Sequence, residues 1–288
     1  MAGSQNGVSA HVRYSTLGDV DVARLEETAR RMRRHIVTMT ATAQSGHPGG
    51  SLSSVELVAA LYFQVMRHRP QEPAWPDRDR FILSKGHATP VLYSALAEAG
   101  YFATDELSTF RKLGTRLQGH SDRRSTPGVE MSAGSLGMGL SYGLGMALAG
   151  RLDKKDYRVF ALLGDGECEE GQVWEAALAG AHFGLDRVTA IIDHNRIQND
   201  GFVADIMQVA PLAPKWAAFG WHTIEINGHD MTQVLSAYNE ALETTTKPTA
   251  IIAHTVKGKG VSFMENNPAF HGKAATPDEL KKALAEIG

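Results

Sequence analysis

The chain has 288 residues, 43% of them hydrophobic, and a formal net charge of -3. That length supports a substantial core, and the interspersed, nearly balanced charge leaves no basic footprint for nucleic acid. No apolar run is long enough to span a bilayer, and residues 1–20 lack a signal-peptide core and read as a flexible lead-in. The single cysteine, Cys168, excludes an internal disulfide framework, so a cytoplasmic protein is the expectation.

Residues 21–43 carry helical apolar spacing at Leu25, Met32, Ile36 and Met39, and the helix is expected to stop in the glycine- and proline-rich segment 45–50. A second helix fits 53–66, and 70–79 reads as an irregular connector. A short apolar run at 80–84 predicts a buried strand that ends at Lys85-Gly86-His87. Helices follow at 88–98 and 104–112, then a loop over 114–132. Such a length of loop in a compact domain points to function or disorder. Residues 134–152 predict a helix with Gly139, Gly143 and Ala147 on one stripe.

From there strands at 157–163, 187–193, 222–226 and 249–255 alternate with helices at 170–183, 212–219, 231–244 and 278–287. Alternation of this kind predicts an α/β fold, a mostly parallel sheet covered by helices on both faces. With no internal repeat and no linker composition, residues 21–288 are expected to form a single domain.

The segment Gly164-Asp165-Gly166 sits at the end of one predicted strand, and Asn195 just past the end of the next. An Asp that merely caps the following helix is the plain reading of an isolated Gly-Asp-Gly. Asn195 at the neighbouring strand end changes that reading, because two oxygen ligands across one βαβ unit can hold a hard cation such as Mg²⁺ and, through it, a diphosphate. The flanking glycines permit a tight turn and are expected to leave backbone N–H groups free to face phosphate. Histidine is the second theme. Of 12 histidines, His47, His87, His120, His229 and His271 each stand beside a glycine, and imidazole donates or accepts protons near neutral pH. Cys168 lies among Glu167, Glu169 and Glu170, which disfavour a thiolate and make it a bystander.

These segments together resemble a known family. SGHPGG (45–50), SKGH (84–87), QGH (118–120), GSLGMGLS (134–141), GDGECEEG (164–171), DHNRIQNDG (193–201), INGHD (226–230), HTVKGKG (254–260) and FHGK (270–273) stand in the order found in the diphosphate-binding, N-terminal domain of transketolases. The resemblance covers nearly all of residues 21–275. It implies a thiamine-diphosphate fold in which Asp165 and Asn195 bind Mg²⁺ (or Ca²⁺ or Mn²⁺ in its place) by side chain and Ile197 by its carbonyl. Gly134, Ser135, Leu136 and Gly137 would face the aminopyrimidine ring, with Gly164, Gly166 and Glu170 supporting the cofactor.

By the same resemblance, His47, His87, His120 and His271 are the active-site histidines, and His229 is structural. Lys85, Lys257 and Lys273 match basic residues near the diphosphate or the substrate entrance; Asn199 stands near the cofactor in a position of variable chemistry. The resemblance implies transfer of a two-carbon ketol unit between sugar phosphates, as in the pentose phosphate pathway. Pyrimidine-binding and C-terminal domains are expected on a separate partner subunit, in an α2β2 assembly that self-associates through the helix at 134–151. The alternatives are a 1-deoxyxylulose-phosphate synthase-like component, a ketolase for branched or sulfonated sugars, and a homologue that binds cofactor without turnover.

Overall fold

The computed structural model describes residues 20–288, so the expected lead-in lies almost wholly outside the described residues. Helix α1 (Val22–Ala43) opens on Asp21, whose carboxylate accepts the Arg24 N–H at 2.9 Å, and closes on Gln44 in a left-handed conformation. The helix stops just before 45–50, as expected, but the chain turns helical again sooner than the second helix expected at 53–66. Pro48 at a first helical position starts α2 (Pro48–Leu52), followed by α3 (Val55–Ala60) and a π-helical turn over Leu61–Val65.

Strand β1 (Arg80–Leu83) leads to α4 (Thr89–Glu98), and the helix expected at 104–112 is a 3₁₀ segment, Thr104–Thr109. Then come α5 (Met138–Leu152), β2 (Val159–Gly164), α6 (Gly171–His182) and β3 (Val188–His194). A four-residue helix that the sequence did not announce, α7 (Val203–Ile206), precedes α8 (Leu212–Ala218), β4 (His222–Asn227), α9 (Met231–Glu243), β5 (Thr249–His254) and α10 (Pro277–Ile287).

The five strands are parallel throughout, in the order β1-β2-β3-β5-β4. Side-chain alternation divides the core in two. Phe160, Leu162, Ile191 and Ile251 join the layer of α1, α3, α4 and α9; Val159, Ala161, Leu163, Ala190, Ile192 and Ile252 join the layer of α5, α6 and α8. With both faces covered, the inner strands are continuous apolar runs. Their polar exits all fall at the carboxyl edge, where Ser84 and Lys85 follow β1, Asp165 follows β2, Asn195 follows β3, and Thr255 and Lys257 follow β5. The predicted loop 114–132 has no regular structure but is tied down. Thr89 and Tyr93 of α4 donate to Gly119 and Gln118 carbonyls at 3.0 and 2.9 Å, and Thr126 donates to Arg116 at 2.7 Å.

The glycine stripe of α5 has a different cause from the one expected. A Cβ on Gly139 would fall 2.4 Å from Ser84 Oγ, and one on Gly143 would lie 3.2 Å from Val159 Cγ1. The stripe therefore lets α5 press on its own sheet. The helix also starts four residues later than expected, because Gly137 has φ 79°, a left-handed turn outside the helix. Gly139→Val is expected to cost about 1–3 kcal/mol by overpacking, which in a chain of this size lowers Tm by several degrees. Thermal unfolding checks this, with the exposed Gly145→Ala, where a Cβ meets nothing within 4 Å, as the benign control.

Candidate active site

The strand ends enclose a cavity of about 300 Å³ whose lining includes Gly50, Lys85, His87, Leu136, Asp165, Glu170, Asn195, Ile197, Lys257 and His271. Asp165, 1% exposed, receives the Gly166 N–H at 2.9 Å on one oxygen and the Arg196 N–H at 2.5 Å on the other. It thus joins the exits of β2 and β3. Asn195 donates its amide to Asp193 at 2.7 Å, while its Oδ1 accepts the Ile197 N–H at 3.1 Å. The N–H groups around Asp165 are not free for phosphate, contrary to expectation. Gly164 donates to Glu167, Asp165 to the Asp193 carbonyl, and Gly166 to the Asp165 side chain.

Two lysines stand among these acids. Lys85, 1% exposed, donates to Asp193 Oδ2 at 2.6 Å, the Gly50 carbonyl at 2.7 Å and Ser54 Oγ at 2.6 Å, so all three of its protons are used. Burial pushes the Asp193 carboxyl up, but the Lys85 ammonium and the Ser53 and Thr255 hydroxyls outweigh it and hold it below the usual range. Asp165 goes the other way. Burial and the neighbouring Asp193 charge push it up to about 6 against the pull of two backbone N–H groups and Lys257. A buried carboxylate short of positive charge, beside an Asn oxygen and a carbonyl, suits a hard divalent cation. Among the described residues no three His, Cys, Asp or Glu side chains converge as a metal site, so a cation here would rest on Asp165 with amide and carbonyl oxygens.

Lys257 donates to the Ile197 carbonyl at 2.6 Å and to His271 Nδ1 at 2.7 Å, and burial and Lys85 bring it down to about 8. Since its Nδ1 accepts, the neutral His271 ring carries its proton on Nε2. His47, His87 and His271 form a cluster with ring centroids 5.1–5.4 Å apart. Burial, then the charge of Arg111, lowers His47 to about 4; burial, then Lys257, lowers His271 to about 3; burial and Lys85 bring His87 well below its ordinary value. His47 Nδ1 is buried with no hydrogen-bond partner. His120 is exposed on the loop rim, outside this cluster, near enough to His47 to lower its pKa further.

Gly134, Ser135 and Leu136 form the exposed turn before α5, and Leu136 reaches the cavity. Glu170 lies exposed on the cavity's rim, whereas Glu167, absent from the sequence-derived site, is 3% exposed and turned inward. Sequence reading also passed over Asp193, marked only by its place just before Asn195, and Arg111, whose guanidinium donates to Ser45 Oγ at 2.8 Å. The remaining candidates fall outside the centre. His229 bridges Glu56 (3.1 Å) and the Val256 N–H (2.8 Å), a structural role as expected. Lys273 covers the Phe270 ring and pairs with Glu279 at 3.6 Å, away from the cavity. Asn199 is on the rim, donating to Asp200 at 2.9 Å, and burial drives the Cys168 thiol well above its ordinary value.

The sign of the histidine shifts is testable. Each folded-state pKa lies below the ordinary 6.5, so as pH falls the unfolded chain takes up protons first. Their contribution to stability is complete above 6.5 and declines as pH drops toward 4 and then 3. NMR titration of the ring resonances should show His47 and His271 neutral throughout about pH 5.5–8; a transition for either near 6.5 contradicts the geometry.

Comparison with known proteins agrees with this arrangement. Residues 25–288 match the family described as "Transketolase, thiamine diphosphate binding domain". The chain is 46% identical over 242 residues to the 6-deoxy-6-sulfo-D-fructose transketolase subunit of Clostridium sp. strain MSTE9, covering 84% of this chain and 88% of that protein. It is 39% identical over 268 residues to an apulose-4-phosphate transketolase subunit of Phocaeicola vulgatus, covering 93% and 95%. The crystal structure of the Campylobacter jejuni transketolase superimposes with a TM-score of 0.88 at 32% identity, over 93% of this chain but only 43% of that one. No helix among the described residues is long and apolar enough to cross a membrane. On its strand-end geometry and on these matches, the chain belongs to the transketolase family, whose thiamine-diphosphate-binding domain it carries.

Proposed function

We propose that residues 21–288 act as one diphosphate-binding domain of a cytoplasmic, thiamine-diphosphate-dependent transketolase whose pyrimidine-binding half resides on a partner chain. The observation that carries this reading is the cavity at the carboxyl ends of β2 and β3, whose lining brings together buried Asp165, Asn195 and Ile197. These three groups would hold Mg²⁺, and Ca²⁺ or Mn²⁺ suits the same oxygen set. The turn at residues 134–137, with Gly164, Gly166 and Glu170, would cradle the cofactor, and Lys85 and Lys257 lend positive charge to a site that accepts a diphosphate. When bound, thiamine diphosphate supplies a carbon nucleophile and an electron sink.

The chain's own groups would then orient a ketose and manage its protons. His271, with Nδ1 engaged by Lys257, offers an Nε2–H to a substrate oxygen, and His47 offers an unpartnered ring nitrogen in the same cluster. His87 would contact the first hydroxyls from inside the cluster and His120 from the rim. The result is transfer of a two-carbon ketol unit from a ketose to an aldose, commonly as their phosphates. Similarity to proteins named for a sulfonated fructose and for apulose 4-phosphate favours an unusual sugar as donor or acceptor over the pentose phosphate pathway.

Support for a separate partner comes from those same relatives, which are named as subunits and are matched over nearly their whole length. Exposed apolar side chains, Met138 and Tyr142 on α5, Leu178 on α6 and Ile206 on α7, would be covered in an α2β2 assembly. Asp165→Ala is expected to abolish Mg²⁺-dependent binding of thiamine diphosphate by calorimetry while leaving the melting curve cooperative; unchanged affinity removes the metal assignment. Ketol transfer should appear only when the partner chain is added, and turnover by the purified chain alone at a normal rate would end the two-chain reading.

A further inference from the structure

Glu167 is the one glutamate of the GDGECEEG segment that turns fully inward, and it gathers donors from three separate segments. Its Oε1 accepts the Ser84 hydroxyl at 2.5 Å and the Gly137 N–H at 2.9 Å; its Oε2 accepts the Gly164 N–H at 3.0 Å. Ser84 leaves β1, Gly164 ends β2, and Gly137 closes the turn that leads into α5. That helix has no side chain of its own at its N-cap. Glu167 therefore supplies, from elsewhere in the chain, the carboxylate that a helix N-terminus favours.

The packing around this carboxylate leaves no room for drift. A Cβ on Gly137 would fall 2.9 Å from Glu167's neighbour Glu170 at its Cβ, and α5 meets Ser84 so closely that Gly139 cannot carry a side chain. What the carboxylate holds is also what faces the cavity, since Leu136, Gly164 and Glu167 line it and Lys85 follows Ser84 directly. We propose that Glu167 is a positioning residue of the cofactor site, a buried latch that fixes the turn at residues 134–137 against the ends of β1 and β2. The proposal rests on the reading that this cavity takes thiamine diphosphate. A preformed turn spares the cofactor the cost of ordering it, and so appears as affinity.

Two variants of the full chain test this. Glu167→Gln keeps one acceptor oxygen but turns an NH₂ group toward a backbone N–H; Ser84→Ala removes one donor and leaves the cavity lining untouched. Loss of a charge-assisted bond to a buried group predicts about tenfold or more weaker thiamine diphosphate binding at saturating Mg²⁺ in Glu167→Gln, by calorimetry, with a smaller loss in Ser84→Ala. The double variant should lose less than the sum of the two single losses, because both loosen the same carboxylate network. Amide exchange at Gly137 and Gly164 should quicken in both, with β3 and β5 unchanged. Unchanged affinity overturns the proposal, including the case where only the melting temperature falls, since that is a purely structural role. Should Glu167→Gln fail to fold, Ser84→Ala decides alone. If the wild-type chain with its partner chain present binds no cofactor, the functional reading fails first; protected Gly137 and Gly164 amides that quicken in the variants then still support the latch, and unchanged exchange ends it.

Discussion

The architecture of the site depends on one buried ion pair, Lys85 with Asp193. Asp193 is fully buried at the end of β3, and its two oxygens accept from Lys85, Ser53, Asn195 and Thr255. The partners come from the exits of β1, β3 and β5 and from the segment between α2 and α3, so one carboxylate sets four pieces of backbone in register. Removing one member of such a pair costs about 3–5 kcal/mol, because the other charge is left in a medium that does not solvate it. The pair also decides chemistry. An ionised Asp193 can only accept, so the Asn195 amide must present its NH₂ to it and its oxygen elsewhere, toward the Ile197 N–H and the cavity.

The contrast between Asp193 and Asp165 follows. The two carboxylates are near enough to repel and both are buried, but only Asp193 has an ammonium in direct contact. The repulsion and the desolvation therefore fall on Asp165, which is held near 6. That is an unfavourable state for an apo side chain and a useful one for a cation site, because a divalent ion offsets both effects at once. The lysine at Asp193 leaves Asp165 as the carboxylate with charge to give.

The fold was legible in the sequence because inner strands of a covered parallel sheet are apolar runs ending in polar groups, and each such end fell at the expected place. Asp165, Asn195, Lys85, Lys257 and three of the four proposed histidines converge on one region for that reason. What could not be read was direction. Glu167, Glu169 and Glu170 are equals on the page, and only the 3₁₀ turn Gly166–Glu169 turns the first inward and leaves Glu170 on the rim. The stripe at Gly139 and Gly143 was read as an outward contact, because spacing identifies a face without saying what the face meets. The N–H groups around Asp165 looked free because their acceptors, Glu167 and Asp193, had not been recognised as buried. Arg111 was missed since the expected helix over 104–112 hides it among ordinary surface positions, whereas the 3₁₀ segment ends at Thr109 and leaves it in a turn.

Burial first, and then the nearby charges of Lys85, Lys257 and Arg111, explains the state of the histidines. Imidazoles packed with centroids 5.1–5.4 Å apart would repel strongly if charged, and beside Lys85 and Lys257 protonation of any one is costlier still. Neutral rings can each donate at one nitrogen and accept at the other. In the proposed function a proton would pass between oxygens of a bound sugar and the ring nitrogens without leaving a lasting imidazolium in the cluster. Lys257 adds a direction, because its bond to His271 Nδ1 fixes which nitrogen of that ring faces outward as the donor. Its second bond, to the Ile197 carbonyl, ties that orientation to the oxygen set around Asp165. The ring that Lys257 orients and the Ile197 carbonyl are thus braced by a single side chain, which would couple the proton-handling half of the proposed site to its cation-holding half.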